Sequence, residues 1–485
     1  GVLAAGAFNN LAGGTVGGLV TNAGTTTNAG VMNGGLQNIG GSTTNFGAIN
    51  GGATVSGGAL ITSGTITGGL INSATVNASG TISGPIQNNA PGVFNVVAAL
   101  TGDNAFTNAG GARLNVGAAY NGVTTLANAG SVYVTPAGAL NVTGALNNSG
   151  SLINTGSTKS ASLNNSGVVT SLNSLTTTGL VSNSGTMTLS GAFSNGALNN
   201  SGAINVLGAL GGASGPTNNS GAINVNTAGA TMTMGALTNS GVLNMIGGGI
   251  GNVVNAASYA GAGGSVAVDA SLAGGGADRL NLGGASTGSG TVFWNFFGAS
   301  APHADTPIIT NGAGATFVSS ISLATSNPSP FAIAGGQLVK DDGFVQQWFG
   351  QASPGVWVLR SDVNVAQLGS IMGAVSGMMS AITTAFSEPA SAFISKPQDD
   401  SPNKFSIGVW GRNRDGQFRI ESSSFIPGGG TTADRTIGVT SKAQFVGIQV
   451  GIDAGLYNIQ NSGWSANLGV HGGIINGESR TPQAT

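Results

Sequence analysis

The chain has 485 residues, of which 87 are glycine, 13 Lys or Arg and 15 Asp or Glu, for a net charge of −2. Soluble domains usually carry about a quarter of their residues as charged side chains, whereas here the share is 6% and the first 268 residues hold only Asp103, Arg113 and Lys159. This excludes a basic nucleic-acid-binding surface and leaves little acid/base chemistry over most of the chain, so neither a nucleic-acid partner nor an enzyme is expected. Disorder is disfavoured too, because 40% of the residues are hydrophobic and the mean hydropathy is +0.23. The lack of cysteine suits a chain that crosses an oxidising compartment unfolded. Gly1 is not preceded by a charged n-region, so an export signal is expected to have been removed.

From the N-terminus the dominant feature is an internal repeat. The triplet Asn-x-Gly recurs with its glycine at 110, 130, 150, 167, 185, 202, 221 and 241, at intervals of 17 to 20 residues. After it come apolar residues two apart, such as Ile204 and Val206, Ile223 and Val225, Leu243 and Met245. Such pairs share one face of a strand, and the triplet supplies turn chemistry, with Gly tolerating positive φ. One strand and one corner per repeat is too short for a propeller blade and fits one coil of a solenoid. In register, Asn128, Asn148, Asn165, Asn183, Asn200, Asn219 and Asn239 stand in one column, and their amides are expected to bond along it as a structural ladder. The less regular start, with Asn22-Ala23-Gly24 and Asn28-Ala29-Gly30, is included to give an all-β, right-handed parallel β-helix over residues 1–255, of about 13 coils.

Past residue 255 charge and aromatics return, and residues 256–362 are expected to form a junction or cap. Bulky rings such as Trp294, Trp348 and Trp357 would cover the strand edges and apolar interior at the end of the stack. Residues 363–388 are expected to form a linker helix, uncharged from Val363 to Phe386 and stopped at Ser387-Glu388-Pro389. At 1.5 Å per residue such a helix is long enough to cross a bilayer, but Asn364, Gln367, Ser370 and Thr383 suit a water-filled channel better. Residues 404–485 read as four strands. Phe405–Val409 and Phe418–Ile420 are followed by two runs, from Gln444 and from Trp464, that alternate an oily and a wet face as tilted membrane strands do.

Taken in order, the Asn/Gly solenoid, the segment through Ala277-Asp278-Arg279-Leu280 to Gly355-Val356-Trp357, the uncharged helix and the opening Phe405-Ser406-Ile407-Gly408-Val409-Trp410-Gly411 resemble the monomeric autotransporters of type V secretion. The resemblance implies a surface-displayed passenger, a helix in the pore, and an outer-membrane β-barrel of about 12 strands. It also implies an outer-membrane location, with the passenger at the cell surface or secreted, and the barrel-insertion machinery as partner. The chain departs from the family by ending Thr481-Pro482-Gln483-Ala484-Thr485 instead of in an aromatic residue. Four strands cannot close a barrel, since single-chain barrels start at about 8, so truncation is expected.

For the passenger, a structural or adhesive surface protein with a glycan or protein ligand is expected. The alternatives are a secreted enzyme, a polysaccharide lyase or protease whose catalytic part is missing, and a soluble secreted solenoid. The two histidines are unpromising as catalysts, His303 in a loop beside Asp305 and His471 on a wet strand face. No cofactor or metal is expected, because Asp341-Asp342 and Asp399-Asp400 read as solvated loops.

Overall fold

The computed structural model describes residues 2–321, 331–333, 336–342, 344–387, 391–393, 401–426 and 435–480. It divides into two units, Gly1–Phe331 with Phe349–Arg360, and Ala332–Trp348 with Ser361–Thr485. The first is a parallel β-solenoid of about 14 turns.

Each coil lays short strands on the walls of the stack, and each wall buries one apolar column. Leu146, Leu163, Val181 and Leu198 pair in register along the first wall. On the second stand Leu152, Val169, Met187, Ile204, Ile223 and Leu243. Leu210, Met232, Val254 and Leu280 continue along the third. All are at most 2% exposed, so period-two alternation sends one side of every strand into a continuous core. Wider coils take rings there: Phe94 and Phe106 meet edge to face at 5.3 Å, and Tyr120 stacks on Phe94 at 6.5 Å.

The glycines at the corners act differently from the expectation. Gly150, Gly167, Gly185, Gly202, Gly221 and Gly241 do not have positive φ. A Cβ at any of them would overlap the carbonyl oxygen of the corner glycine one coil earlier. These glycines are therefore required by the close approach of successive coils.

Parallel stacking does not stop at residue 255. Val253–Ser271 pairs in parallel with Ser286–Phe297, which pairs in parallel with Thr316–Ile321. The direction then reverses, because Val356–Val363 runs antiparallel to Thr306–Thr310. A ring cluster fills this end: Trp294 meets Phe349 at 5.2 Å, Phe349 meets Trp357 at 5.4 Å, and Phe317 meets Trp357 at 5.4 Å.

In the second unit a helix spans Val365–Ser387, with Asn364 Oδ1 accepting from the Gln367 amide at 3.3 Å as its N-cap. Glu388 and Pro389, expected to stop it, lie outside the described residues. Three antiparallel strands follow, Lys404–Ile426, Arg435–Tyr457 and Ala466–Arg480. Phe405–Val409 and Phe418–Ile420, expected as two strands, belong to one. The polar run Arg412-Asn413-Arg414-Asp415-Gly416 resembles a turn in sequence but pairs residue by residue with Gln449 to Phe445.

The helix lies on one face of this sheet. Gly373 approaches Ile420, Gly377 approaches Phe418, and the Ser422 hydroxyl donates to the Ala366 carbonyl. Glycines spaced four apart lie on one side of a helix and let the strand come close.

Candidate functional site

The corner column is a continuous amide ladder. Asn128 Nδ2 donates to Asn148 Oδ1 at 2.7 Å, and the pattern repeats through Asn165, Asn183, Asn200, Asn219 and Asn239 at 2.7 to 2.9 Å. All seven are at most 2% exposed. The second amide hydrogen of Asn148 reaches the Val168 carbonyl at 3.0 Å, and that of Asn200 reaches the Ala222 carbonyl at 3.0 Å. The main chain shares the geometry: the Asn128 carbonyl accepts from the amides of Ser149 and Gly150 in the next coil, at 2.8 and 3.1 Å. A buried amide left unpaired would cost about 1–3 kcal/mol, so each rung stabilises the corner by pairing its neighbours.

Sequence reasoning missed the earlier rungs. Asn72, Asn88 and Asn108 join the same column below Asn128, at 2.7 to 2.8 Å. Asn22 and Asn38 form a shorter run, separated from Asn72 by Val55 in the same register. The gap is satisfied locally: Asn38 Nδ2 turns to the Gly57 carbonyl at 2.7 Å, and Asn72 Oδ1 accepts from the Ala74 amide at 3.0 Å. A second wall carries its own ladder, Asn10 to Asn28 to Asn45 at 2.7 Å, ending on the Thr62 hydroxyl. Asn at a strand end before a small residue was the available signal for Asn22, Asn28, Asn72 and Asn108, whereas Asn10, Asn38, Asn45 and Asn88 are followed by Leu, Ile, Phe and Asn and lack it.

Outside the ladder runs a groove of about 620 Å³. One lip is the column of exposed Asn147, Asn164, Asn199 and Asn218 with half-buried Ser182, in which Asn164 donates to Asn147 at 2.7 Å and Asn218 to Asn199 at 2.9 Å. The other is Ser149, Ser166, Ser184, Ser201, Ser220 and Ser240, whose hydroxyls donate to ladder carbonyls of the preceding coil at 3.2 to 3.5 Å. No charged residue lines it.

Buried charge enters the solenoid at the junction. Asp278 is fully buried, and its carboxylate accepts from the main-chain amides of Asn252 at 2.9 Å and Asp269 at 2.8 Å. Asp269, 1% exposed, accepts from the Gly247 amide at 2.9 Å and from Asn295 Nδ2. Burial, against the pull of the main-chain donors and aided by the Asp269 charge, pushes Asp278 up to about 7.

The sheet of the second unit has the opposite polarity to the solenoid. Its outward residues form rows across three strands: Phe405, Leu456 and Ala466; Ile407, Ala454 and Leu468; Val409, Ile452 and Val470; Asn413, Ile448 and Ile474. Val409, Val446, Ile448, Val450, Ile452, Leu468, Val470 and Ile474 are 52 to 82% exposed. On the other face Arg412 Nε donates to Gln449 Oε1 at 2.6 Å, and Asp453 accepts from the Ala392 amide at 2.6 Å.

The histidines occupy separate units. His303 Nδ1 lies 2.7 Å from the Ala304 carbonyl, while Asp305 is held by Arg360 at 2.7 and 2.9 Å. His471 sits beside the Trp410 ring at 5.8 Å. Asp342 pairs with Lys340 at 2.7 Å, and Asp399-Asp400 lie outside the described residues. Among the described residues no three His, Asp or Glu side chains come together as a metal site. The chain matches no family model and no curated protein.

Proposed function

We propose that this chain is an autotransporter-type surface protein, in which the three-stranded sheet belongs to an outer-membrane β-barrel that exports and anchors the solenoid. The observation that carries this reading is the outward sheet face. Val446 to Leu456 presents apolar side chains to solvent over ten residues, roughly 34 Å of strand, and a tilt of about 40° reduces this to about 25 Å, the height of a barrel's apolar band. A soluble sheet would hide such a face, since exposed apolar patches beyond a few hundred Å² mark interaction or membrane surfaces. The helix against the other, polar-and-glycine face then occupies the pore side.

The solenoid is the passenger. Its near-absence of charge removes a barrier to threading, and each folded coil resists backsliding: at about 0.05 to 0.15 kcal/mol per residue, a coil of about 19 residues contributes roughly 1 to 3 kcal/mol, more than RT. Once outside it serves as a structural or adhesive fibre without catalysis, with the uncharged groove as the surface for a glycan or protein ligand. The test is expression of the full chain, followed by membrane fractionation and protease treatment of intact cells. Outer-membrane recovery with protease-accessible solenoid is expected; a detergent-independent soluble protein overturns the reading.

A further inference from the structure

The outward sheet face ends in a row of three cations. Arg419 stands directly across from Lys442, and Lys442 directly across from Arg480. Like charges in directly opposed cross-strand positions destabilise a sheet, and the whole chain has only 13 Lys and Arg. The acids nearby do not neutralise the row. Arg419 pairs with Glu421 at 2.7 Å and Arg480 with Glu478 at 3.3 Å, both largely exposed, and such pairs stabilise little. Lys442, between the two arginines, has no acidic partner among the described residues.

The row also has a fixed place relative to the apolar band. The last wholly aliphatic outward pair is Ile448 with Ile474, Val446 lies one row further between Asp415 and Asn476, and Gln417, Gln444 and Glu478 form the row between Val446 and the cations. Four residues separate Val446 from Lys442, about 10 Å along the membrane normal at the same tilt. The headgroup zone reaches about 5–7.5 Å beyond the hydrocarbon, so the cations stand at its outer margin, from which long basic side chains extend back into it.

We propose that Arg419, Lys442 and Arg480 form a binding site for the phosphate of an anionic membrane lipid, whose charge relieves their mutual repulsion. Arginine supplies paired N–H donors that match phosphate oxygens, and Lys442 supplies a point charge between them. The proposal rests on the membrane reading of the sheet. A free phosphate would meet the same donors but gain nothing from the apolar rows below, so lipid is the occupant to which the geometry points.

The test uses the full chain in a neutral detergent, titrated with short-chain phosphatidylglycerol, short-chain phosphatidylcholine and inorganic phosphate, each at low and high salt. Phosphatidylglycerol is expected to bind at least about tenfold more tightly than phosphatidylcholine, with the preference lost at high salt and inorganic phosphate bound weakly. Lys442→Gln with Arg480→Gln, both exposed and outside the core, should abolish the preference and leave phosphatidylcholine binding unchanged. Equal binding of the two lipids, an unchanged preference in the double variant, or inorganic phosphate binding as tightly as phosphatidylglycerol overturns the site while leaving the membrane reading intact. Failure to bind either lipid overturns both.

Discussion

The solenoid and the three-stranded sheet are built from the same alternating strands, yet they point their apolar residues in opposite directions. In the solenoid Leu152, Val169 and Met187 face a dry core, and the outside is mainly Asn, Ser and Thr with scattered aliphatics such as Ile153, Val168 and Leu172. In the sheet Val450, Ile452 and Val470 face outward, while Arg412, Gln449 and Asp453 take the other side. Alternation therefore says that a strand has two environments, not which of them is oily. What distinguishes the two is how polar groups are satisfied. The solenoid pairs its buried amides coil to coil, whereas the sheet places polar groups opposite its apolar face, as the proposed barrel reading requires.

That contrast can be broken at specific positions. The largest effect is expected at a corner: Gly202→Val forces a side chain into the Gly185 carbonyl and should destabilise the solenoid by about 3 kcal/mol or more. Because coils interact mainly with their neighbours, hydrogen exchange should show the loss concentrated around that coil. Val450→Lys on the sheet's outward face is expected to cost about 2–4 kcal/mol in a bilayer. Refolding into lipid vesicles measures it, and an unchanged yield would show that this face does not meet hydrocarbon.

Asn183→Ala removes one rung and leaves Asn200 Oδ1 without its donor, while Asn165 Nδ2 keeps the Gly167 and Thr186 carbonyls at 3.2 Å. Urea denaturation should report a loss of about 1–3 kcal/mol for each group left unpaired. Adding Ser or Gln at 183 tests whether any polar side chain serves; the gap at Val55 shows that rearranged main-chain acceptors can close a break.

A smaller effect concerns pH. Asp278 is raised from an ordinary 3.8 to about 7 in the folded junction. A raised folded value means that the native state binds the proton more tightly, so the contribution is complete below about 4 and is lost as pH rises through 7. Wild-type stability minus that of Asp278→Asn should therefore fall between pH 4 and 8, and a flat difference would contradict the burial argument. The smallest effect is expected for Thr125→Lys on the solenoid exterior, within about 0.5 kcal/mol in the same denaturation assay.

Much of the repeat was legible from residues alone. The spacing of Asn-x-Gly located the coils from Asn128 to Asn239, because a strand and a corner of nearly constant length must return to the same azimuth. The early rungs escaped because the distance from Asn22 to Asn38 is 16 residues and that from Asn88 to Asn108 is 20, so no single period joins them. Coil length varies at the exposed corners while the ladder position stays fixed, which sequence spacing cannot reveal. The strand Lys404–Ile426 was divided in two for a related reason: Arg412 to Gly416 has turn composition but extends because its neighbour supplies a full set of main-chain partners.

By itself the sequence determined the architecture of short strands and corners, the column of amides and the scarcity of charge in the stack, since these follow from side-chain chemistry repeated at a nearly regular interval. Only the tertiary structure decided that the corner glycines are held by the coil beneath them and that two carboxyls, Asp269 and Asp278, are buried together. It also brought Arg419, Lys442 and Arg480, from three strands, into one row. Each of these depends on a spatial neighbour set apart along the chain, by 9 residues for Asp269 and Asp278, by 17 to 20 for the corner glycines and by 23 and 38 for the three cations.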